Sequence, residues 1–556
     1  MAQAETMTGG DAIVDQLIAN GVDRVFGLPG VQLYPVFDAL ARNADHVRTY
    51  TTRHEQAAAY MAFGFARSTG RPGVYAVVPG PGVLNTTAAL CTAMACCAPV
   101  LCITGQIPSA FLGRGRGHLH EIRDQLGTLD TLVKWTARIE RPADAPEIIN
   151  EAFRQMLTGR PGPVAVEMAW DTMAEDGHVA LLPAATIPPA KPPSPNEIEA
   201  AAVLVANARR PIIFTGSGAQ HAAAEVRALA ETIGAPVVGF RGGRGIIPED
   251  TPLGLSPYAA SKLWPDCDLA IGIGSRVETP YMRWTGMMRL VDRPEAPPHL
   301  IRIDIDPSEV LRLVPHAPIV ADAVDGTRAL RDAVMKRQPN RADGKDPDRL
   351  ATLTAVKSDA HADIQKVQPQ IDYLDVLRDV IPRDGLFVSE VSQVGFASYF
   401  GYPVYEPRTY ITEGYQGNLG FGFPTALGVK AAHPNKPVVS ITGDGGFMFA
   451  VQELATAAQE QIALIVVLFN NHSFGNVMRD QQMRYDNRVI GSALQNPDFQ
   501  SLGRSFGIET YQIGSPAELR ETLSSVINTN VPVLIKVNVP QNADTSPWEF
   551  ILKGVY

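Results

Sequence analysis

Asp444 and Asn471 are the two side chains from which chemistry can be read first. Asp444 sits in the glycine-rich run Gly443-Asp444-Gly445-Gly446, and Asn471 closes the pair Asn470-Asn471, 27 positions on (471 − 444). An apolar run ends at Thr442, residues from about Phe449 to Gln459 carry a helical pattern, and a second apolar run, Ile462 to Phe469, delivers the asparagines. That order predicts a βαβ unit, whose parallel strands bring both turns to the same C-terminal edge of the sheet. A carboxylate and an amide oxygen beside glycine amides suit a hard cation that holds a diphosphate. Mg²⁺ takes oxygen ligands and keeps phosphates in its shell. The bland alternative is a tight turn and nothing more, the ordinary meaning of an isolated Gly-Asp-Gly. The flanking strand, the helix and the paired asparagines weigh against it.

Glu55 is the second residue to weigh. It opens a helix of small and apolar residues, Glu55-Gln56-Ala57-Ala58-Ala59, in a position that the helix dipole favours for an acid. A solvated first-turn glutamate is one reading. The other follows from the apolar helix: a carboxylate that faces packed surroundings has a raised pKa and can share a proton with a nitrogen base.

The elements that must position these residues read as alternating strands and helices. The chain has 556 residues, 19% of them charged and 45% hydrophobic, enough for about three domains. The expected fold class is α/β, with three doubly wound parallel-sheet domains at residues 1–180, 195–338 and 370–540, and a C-terminal tail at 541–556. The Pro-rich stretch 181–195 and the polar stretch 336–348 are the expected linkers. Between Arg71 and Arg114 there is no charged residue, but Pro79, Pro81 and Pro99 interrupt the run. It therefore reads as buried strand, turn, helix and strand rather than as a membrane span. A net charge of −10 without a basic cluster argues against nucleic acid. Five cysteines without metal-ligand spacing read as reduced core thiols, and no secretory leader is visible, so a cytoplasmic enzyme is expected.

Taken together, Gly443-Asp444-Gly445 and Asn470-Asn471 resemble the signature of thiamine diphosphate enzymes. Arg53-His54-Glu55 resembles a segment of the acetolactate synthase, pyruvate oxidase and benzaldehyde lyase superfamily. The likeness extends over nearly the full length. Val25-Phe26-Gly27-Leu28-Pro29-Gly30 is similar to that superfamily's first-strand loop, and Pro79 to Asn85, with Gly82, to its turn beside the pyrimidine. Glu390-Val391-Ser392-Gln393 is similar to its diphosphate loop. Gly417-Asn418-Leu419-Gly420 is similar to its wedge segment, with Leu419 where the family carries Met. The resemblance implies Mg²⁺ held by Asp444, Asn471 and the backbone carbonyl of Ser473. Gly443, Gly445, Gly446, Phe474 and Gly475 would sit at the cofactor, and Leu419 would brace its bend. It gives Glu55 the proton at N1′ of the aminopyrimidine; this stabilises the imino form that removes the thiazolium C2 proton. It also implies active sites between subunits, hence a homodimer or homotetramer acting on small 2-oxo acids or aldehydes.

Departures from the family pattern bear on substrate. Leu119-His120-Glu121, followed by Asp124-Gln125 and Lys134-Trp135, looks closer to the benzaldehyde lyase branch. His120 is then a catalytic proton carrier near neutral pH, or a surface histidine. Asp480 stands where acetolactate synthases carry Trp. In the middle domain, Gly254-Leu255-Ser256-Pro257 replaces the turn of flavin-binding members, so FAD is doubtful, although Gly274-Ser275-Arg276 and Asp304 to Pro307 remain compatible with an adenine nucleotide. The expected activity is decarboxylation or carboligation of 2-oxo acids. The alternatives are a C–C lyase acting on 2-hydroxy ketones or 2-hydroxyacyl-CoA, and a non-catalytic relic of the fold.

Overall fold

The computed structural model describes residues 4–284 and 299–552. Three six-stranded sheets, each wholly parallel, carry the three α/β domains. The N-terminal sheet runs, edge to edge, Arg48–Thr51, Arg24–Gly27, Gly73–Val77, Val100–Gln106, Val164–Ala169 and Trp135–Ile139. The C-terminal sheet runs Tyr410–Ile411, Leu386–Ser389, Val438–Gly443, Ile465–Asn470, Val533–Asn538 and Glu509–Ile513. Counted within each domain, both orders are 2-1-3-4-6-5, so corresponding strand ends fall at corresponding places. The middle sheet differs, with order 3-2-1-4-5-6. Every residue of the central strands Val100–Gln106 and Ile465–Asn470 is buried, as helices on both faces require.

Two features depart from the sequence expectation. Glu5–Thr8 pairs antiparallel with Asp176–Val179 in a small two-stranded sheet. Part of the stretch read as a polar linker begins an 18-residue helix, Pro347–Ile364, capped by Asp346. Of its residues, Leu353, Ala360 and Ile364 are the ones fully buried.

The N- and C-terminal domains are locked together through two helices, Glu55–Thr69 and Gly422–Ala432. A Cβ at Gly64 would stand 2.2 Å from the Thr425 carbonyl oxygen, and one at Gly428 would stand 2.0 Å from that of Met61. Only glycine permits so close an approach of the two backbones. Phe421 closes the crossing, edge-on to Tyr60 and Phe63 at 5.6 Å. Five free cysteines are present; burial pushes the Cys96 thiol up to about 11 and that of Cys102 up to about 12. Among the described residues no helix is long and apolar enough to cross a membrane.

Candidate active site

Strands Val438–Gly443 and Ile465–Asn470 pair in parallel with Gly443 beside Phe469, which sets Asp444 and Asn471 at one edge of the C-terminal sheet. Asp444 begins a four-residue helix, Asp444–Phe447; the following helix is shorter than expected, Leu454–Gln459, after a separate turn at Val451–Glu453. Asp444 Oδ2 accepts from Asn496 Nδ2 at 2.6 Å, and the same amide donates to Asn470 Oδ1 at 2.8 Å. Asn470 is thereby a spacer, while Asn471 turns its Nδ2 to Asp544 at 3.2 Å and its Oδ1 to the Ser473 N–H at 3.1 Å. Burial pushes the carboxyls of Asp444 and Asp544 above the usual range, against the hydrogen bonds from Asn496 and Asn471.

A cavity of about 190 Å³ opens here, and Ser392, Gln393, Leu419, Gly443, Asp444, Gly445, Gly446, Asn471, Ser473, Phe474 and Gly475 all line it. Side chains are excluded where backbone must come close. A Cβ at Gly445 would stand 2.3 Å from the Phe474 ring, and one at Gly475 would stand 3.0 Å from Asn471 Nδ2. Ser392 caps the helix Gln393–Gly401 through the Gly395 N–H at 3.0 Å. Gly417 lies elsewhere, exposed and with nothing within 4 Å of a Cβ built on it. Beneath the floor, the fully buried Glu390 accepts from the N–H groups of Phe421 and Gly422 and from the Thr442 hydroxyl at 3.0–3.1 Å. Burial raises its carboxyl to about 7.

The other predicted residues gather at the C-terminal edge of the N-terminal sheet. Asn85 Nδ2 donates to Glu55 Oε2 at 2.9 Å, and a Cβ at Gly82 would stand 3.7 Å from Glu55 Oε1. Gly30, after Pro29, packs against Val78, where a Cβ would stand 2.3 Å from Cγ1. His120, at φ 67°, lays its backbone over Gly80, whose Cβ would stand 2.3 Å from the His120 carbonyl oxygen. Its Nδ1 lies 2.9 Å from Gln32 Oε1, while Gln32 Nε2 donates to the Leu119 carbonyl at 3.0 Å. That second bond fixes which way the Gln32 amide points, so Nδ1 carries the proton and Nε2 is left available. Glu55 is half-buried rather than enclosed, and beside it Leu84 is 43% exposed. Among the described residues, none before Val391 lines the cavity at Asp444. The two clusters are not joined within one chain.

Comparison with known proteins gives the family. Residues 7–128 match the thiamine pyrophosphate enzyme N-terminal TPP binding domain, 198–330 its central domain and 391–537 its C-terminal TPP binding domain. A probable acetolactate synthase large subunit of Methanocaldococcus jannaschii is 36% identical, over 96% of this chain and 92% of its own length. A probable 2-ketoarginine decarboxylase of Pseudomonas aeruginosa is 34% identical, covering 97% and 95%. Acetolactate synthase isozyme 1 large subunit of Escherichia coli is 29% identical, covering 97% and 95%. The chain belongs to the thiamine pyrophosphate enzyme family.

The donor set of this family member fits a hard cation and a diphosphate. Among the described residues no three His, Cys, Asp or Glu side chains converge. The oxygens on offer at the cavity come instead from two carboxylates, Asp444 and Asp544, from side-chain amides and hydroxyls and from backbone carbonyls, the hard ligands that Mg²⁺ takes when phosphates complete its shell. A cation would also offset the burial of Asp444. Sequence reasoning missed Asn496, Asp544 and Gln32, which orient Asp444, Asn471 and His120. It also missed Arg479, which donates to Gln393 Oε1 at 3.1 Å and to the Asp544 carbonyl at 2.9 Å. The tail is therefore part of the site rather than an appendage. Asp480, half-buried, faces Arg484 at 3.7 Å.

A second cavity, about 150 Å³, lies in the middle domain where its strand order reverses, between Gly216-Ser217-Gly218 and Gly274-Ser275-Arg276. Such switch points receive nucleotides in open α/β sheets. Gly254-Leu255-Ser256-Pro257 is not among the residues that line it.

Proposed function

We propose that this family member uses thiamine diphosphate held through Mg²⁺ to decarboxylate a 2-oxo acid. The acyl unit then passes to a proton or to a second carbonyl, in the manner of the acetolactate synthases and of the decarboxylase it is similar to. The observation that carries this reading is the pair of half-sites on corresponding sheet edges: Asp444 and Asn471 at a cavity in one domain, Glu55 with Asn85 in the other. In this reading residues 370–540 hold the diphosphate and residues 1–180 the pyrimidine.

Asp444, Asn471 and the Ser473 carbonyl bind the cation, Ser392 and Gln393 take phosphate oxygens, and Leu419 braces the cofactor. Glu55 holds the proton at the pyrimidine nitrogen, and His120, its tautomer set by Gln32, offers Nε2 for proton transfer to substrate. When bound, thiamine diphosphate supplies a nucleophilic carbon and an electron sink. The half-exposed Glu55 beside exposed Leu84, and the exposed Phe449 near the other half-site, support sites formed between two copies of the chain. The buried free thiols support a reducing, cytoplasmic setting.

A screen of 2-oxo acids, pyruvate and 2-ketoarginine among them, with CO₂ release and product analysis, tests the reaction. Release of CO₂ from at least one supports it. Cleavage of benzoin or a 2-hydroxyacyl-CoA, with no CO₂ from any 2-oxo acid, would overturn it in favour of a lyase.

A further inference from the structure

A carboxylate from the C-terminal domain grips the chain just ahead of Glu55. Glu453 is 0% exposed, at the end of the turn Val451–Glu453 that follows the Asp444–Phe447 helix. Its Oε2 accepts the Arg53 backbone N–H at 3.1 Å and the Thr456 hydroxyl at 2.6 Å. Its Oε1 is buried with no hydrogen-bond partner. The contacts on either side follow the same path. The Thr51 N–H donates to Glu460 Oε1 at 3.2 Å, the Arg53 guanidinium to Gln459 Oε1 at 2.7 Å, and Arg48 to the Glu460 carbonyl at 3.1 Å. His54 is the extended N-cap of the helix that Glu55 begins (φ −147°, ψ 142°). The backbone of residues 53–54 therefore sets where the Glu55 carboxylate starts.

Burying a carboxylate with one oxygen unpaired is costly, and the return is the Arg53 backbone fixed beside a residue whose placement matters to a fraction of an ångström. We infer that Glu453 is a positioning residue for Glu55, acting from the diphosphate domain. The inference rests on the reading of Glu55 as the acid at N1′ in a site shared between copies. Because Glu55 does not line its own chain's cavity, Glu453 ties the cation turn of one site to the acid serving the next.

The test uses the full chain loaded with thiamine diphosphate and Mg²⁺, in Glu453→Ala, Glu453→Asp and Glu453→Gln variants. Exchange of the cofactor C2 proton into D₂O is followed by NMR after acid quench, and cofactor affinity by calorimetry. In Glu453→Ala exchange should slow by about 10- to 100-fold, the scale of an ångström-level misplacement, with affinity unchanged because Asp444 and Asn471 are intact. Glu453→Gln, which keeps an oxygen for the Arg53 N–H, should recover most of the parent rate, and the shortened Glu453→Asp should not. Parent-rate exchange in folded Glu453→Ala, or recovery absent in Glu453→Gln, overturns the inference. If Glu453→Ala does not fold, parent-rate exchange in Glu453→Asp overturns it instead. Glu55→Gln is run alongside: if it too exchanges at the parent rate, the error lies in the role of Glu55. If it is slow while the Glu453 variants are fast, only the positioning role falls.

Discussion

Replacing Glu390 by Gln should change stability by an amount that depends on pH, and the size of that dependence can be worked from the site. Burial is the largest influence on the Glu390 carboxyl and raises it; the N–H groups of Gly422 and Phe421 and the Thr442 hydroxyl pull the other way, leaving it at about 7 against an ordinary 4.5. The difference of 2.5 (7 − 4.5) corresponds to about 3 kcal/mol. Between those values the folded chain keeps a proton that the unfolded chain has released. Glu390 therefore stabilises fully below about pH 4.5, loses that contribution as pH rises to about 7, and contributes no slope above it. Glutamine does not titrate. It also sets an amide NH₂ against a backbone N–H, at a cost of roughly 1–3 kcal/mol. The variant should thus be less stable than the parent near pH 5 and draw level with it or pass it near pH 8, the difference shifting by about 2.5 kcal/mol over that range. Thermal melts of both proteins across that range measure the gap. A gap that stays constant would refute the assignment of a buried, titrating Glu390. Because Phe421 and Gly422 follow Leu419 closely, the variant should also hold the cofactor more weakly.

Two further outcomes concern the half-sites. Asp444→Ala should weaken Mg²⁺-dependent binding of thiamine diphosphate by more than roughly 100-fold in calorimetric titration, and parent-like binding would remove Asp444 from the cation. Glu55→Gln and Asp444→Ala, each inactive alone, should recover roughly a quarter of parental turnover when co-expressed, since random pairing leaves one intact site in half of the dimers. A mixture as inactive as its components would refute sites shared between copies.

What the chain disclosed beforehand followed from short-range pattern. The buried runs at 100–106 and 465–470 read as parallel strands because both faces are covered, and the glycine turn with its paired asparagines fell at strand ends that topology must bring together. The helix at 347–364 escaped because it buries only Leu353, Ala360 and Ile364 and so shows no continuous apolar stripe, although Asp346 and Pro347 are a helix-start signal. The groups that orient the site escaped for a different reason. Asn496 reaches Asp444 across 52 positions, Asp544 reaches Asn471 across 73, and Gln32 meets His120 across 88, the first two from loops and the third from a single 3-10 turn, none with a periodicity of its own. Nor does any pattern tell where Glu55 points. Its helix spends its buried face on the crossing at Gly64 and Gly428, which fixes the two domains of one chain and leaves Glu55 half-exposed, away from that chain's own cavity. A tight intrachain lock of this kind makes the two half-sites unable to meet without large rearrangement. Joining them across two copies leaves every packed glycine contact in place, which is the physical reason to prefer the shared site over a hinge within the chain.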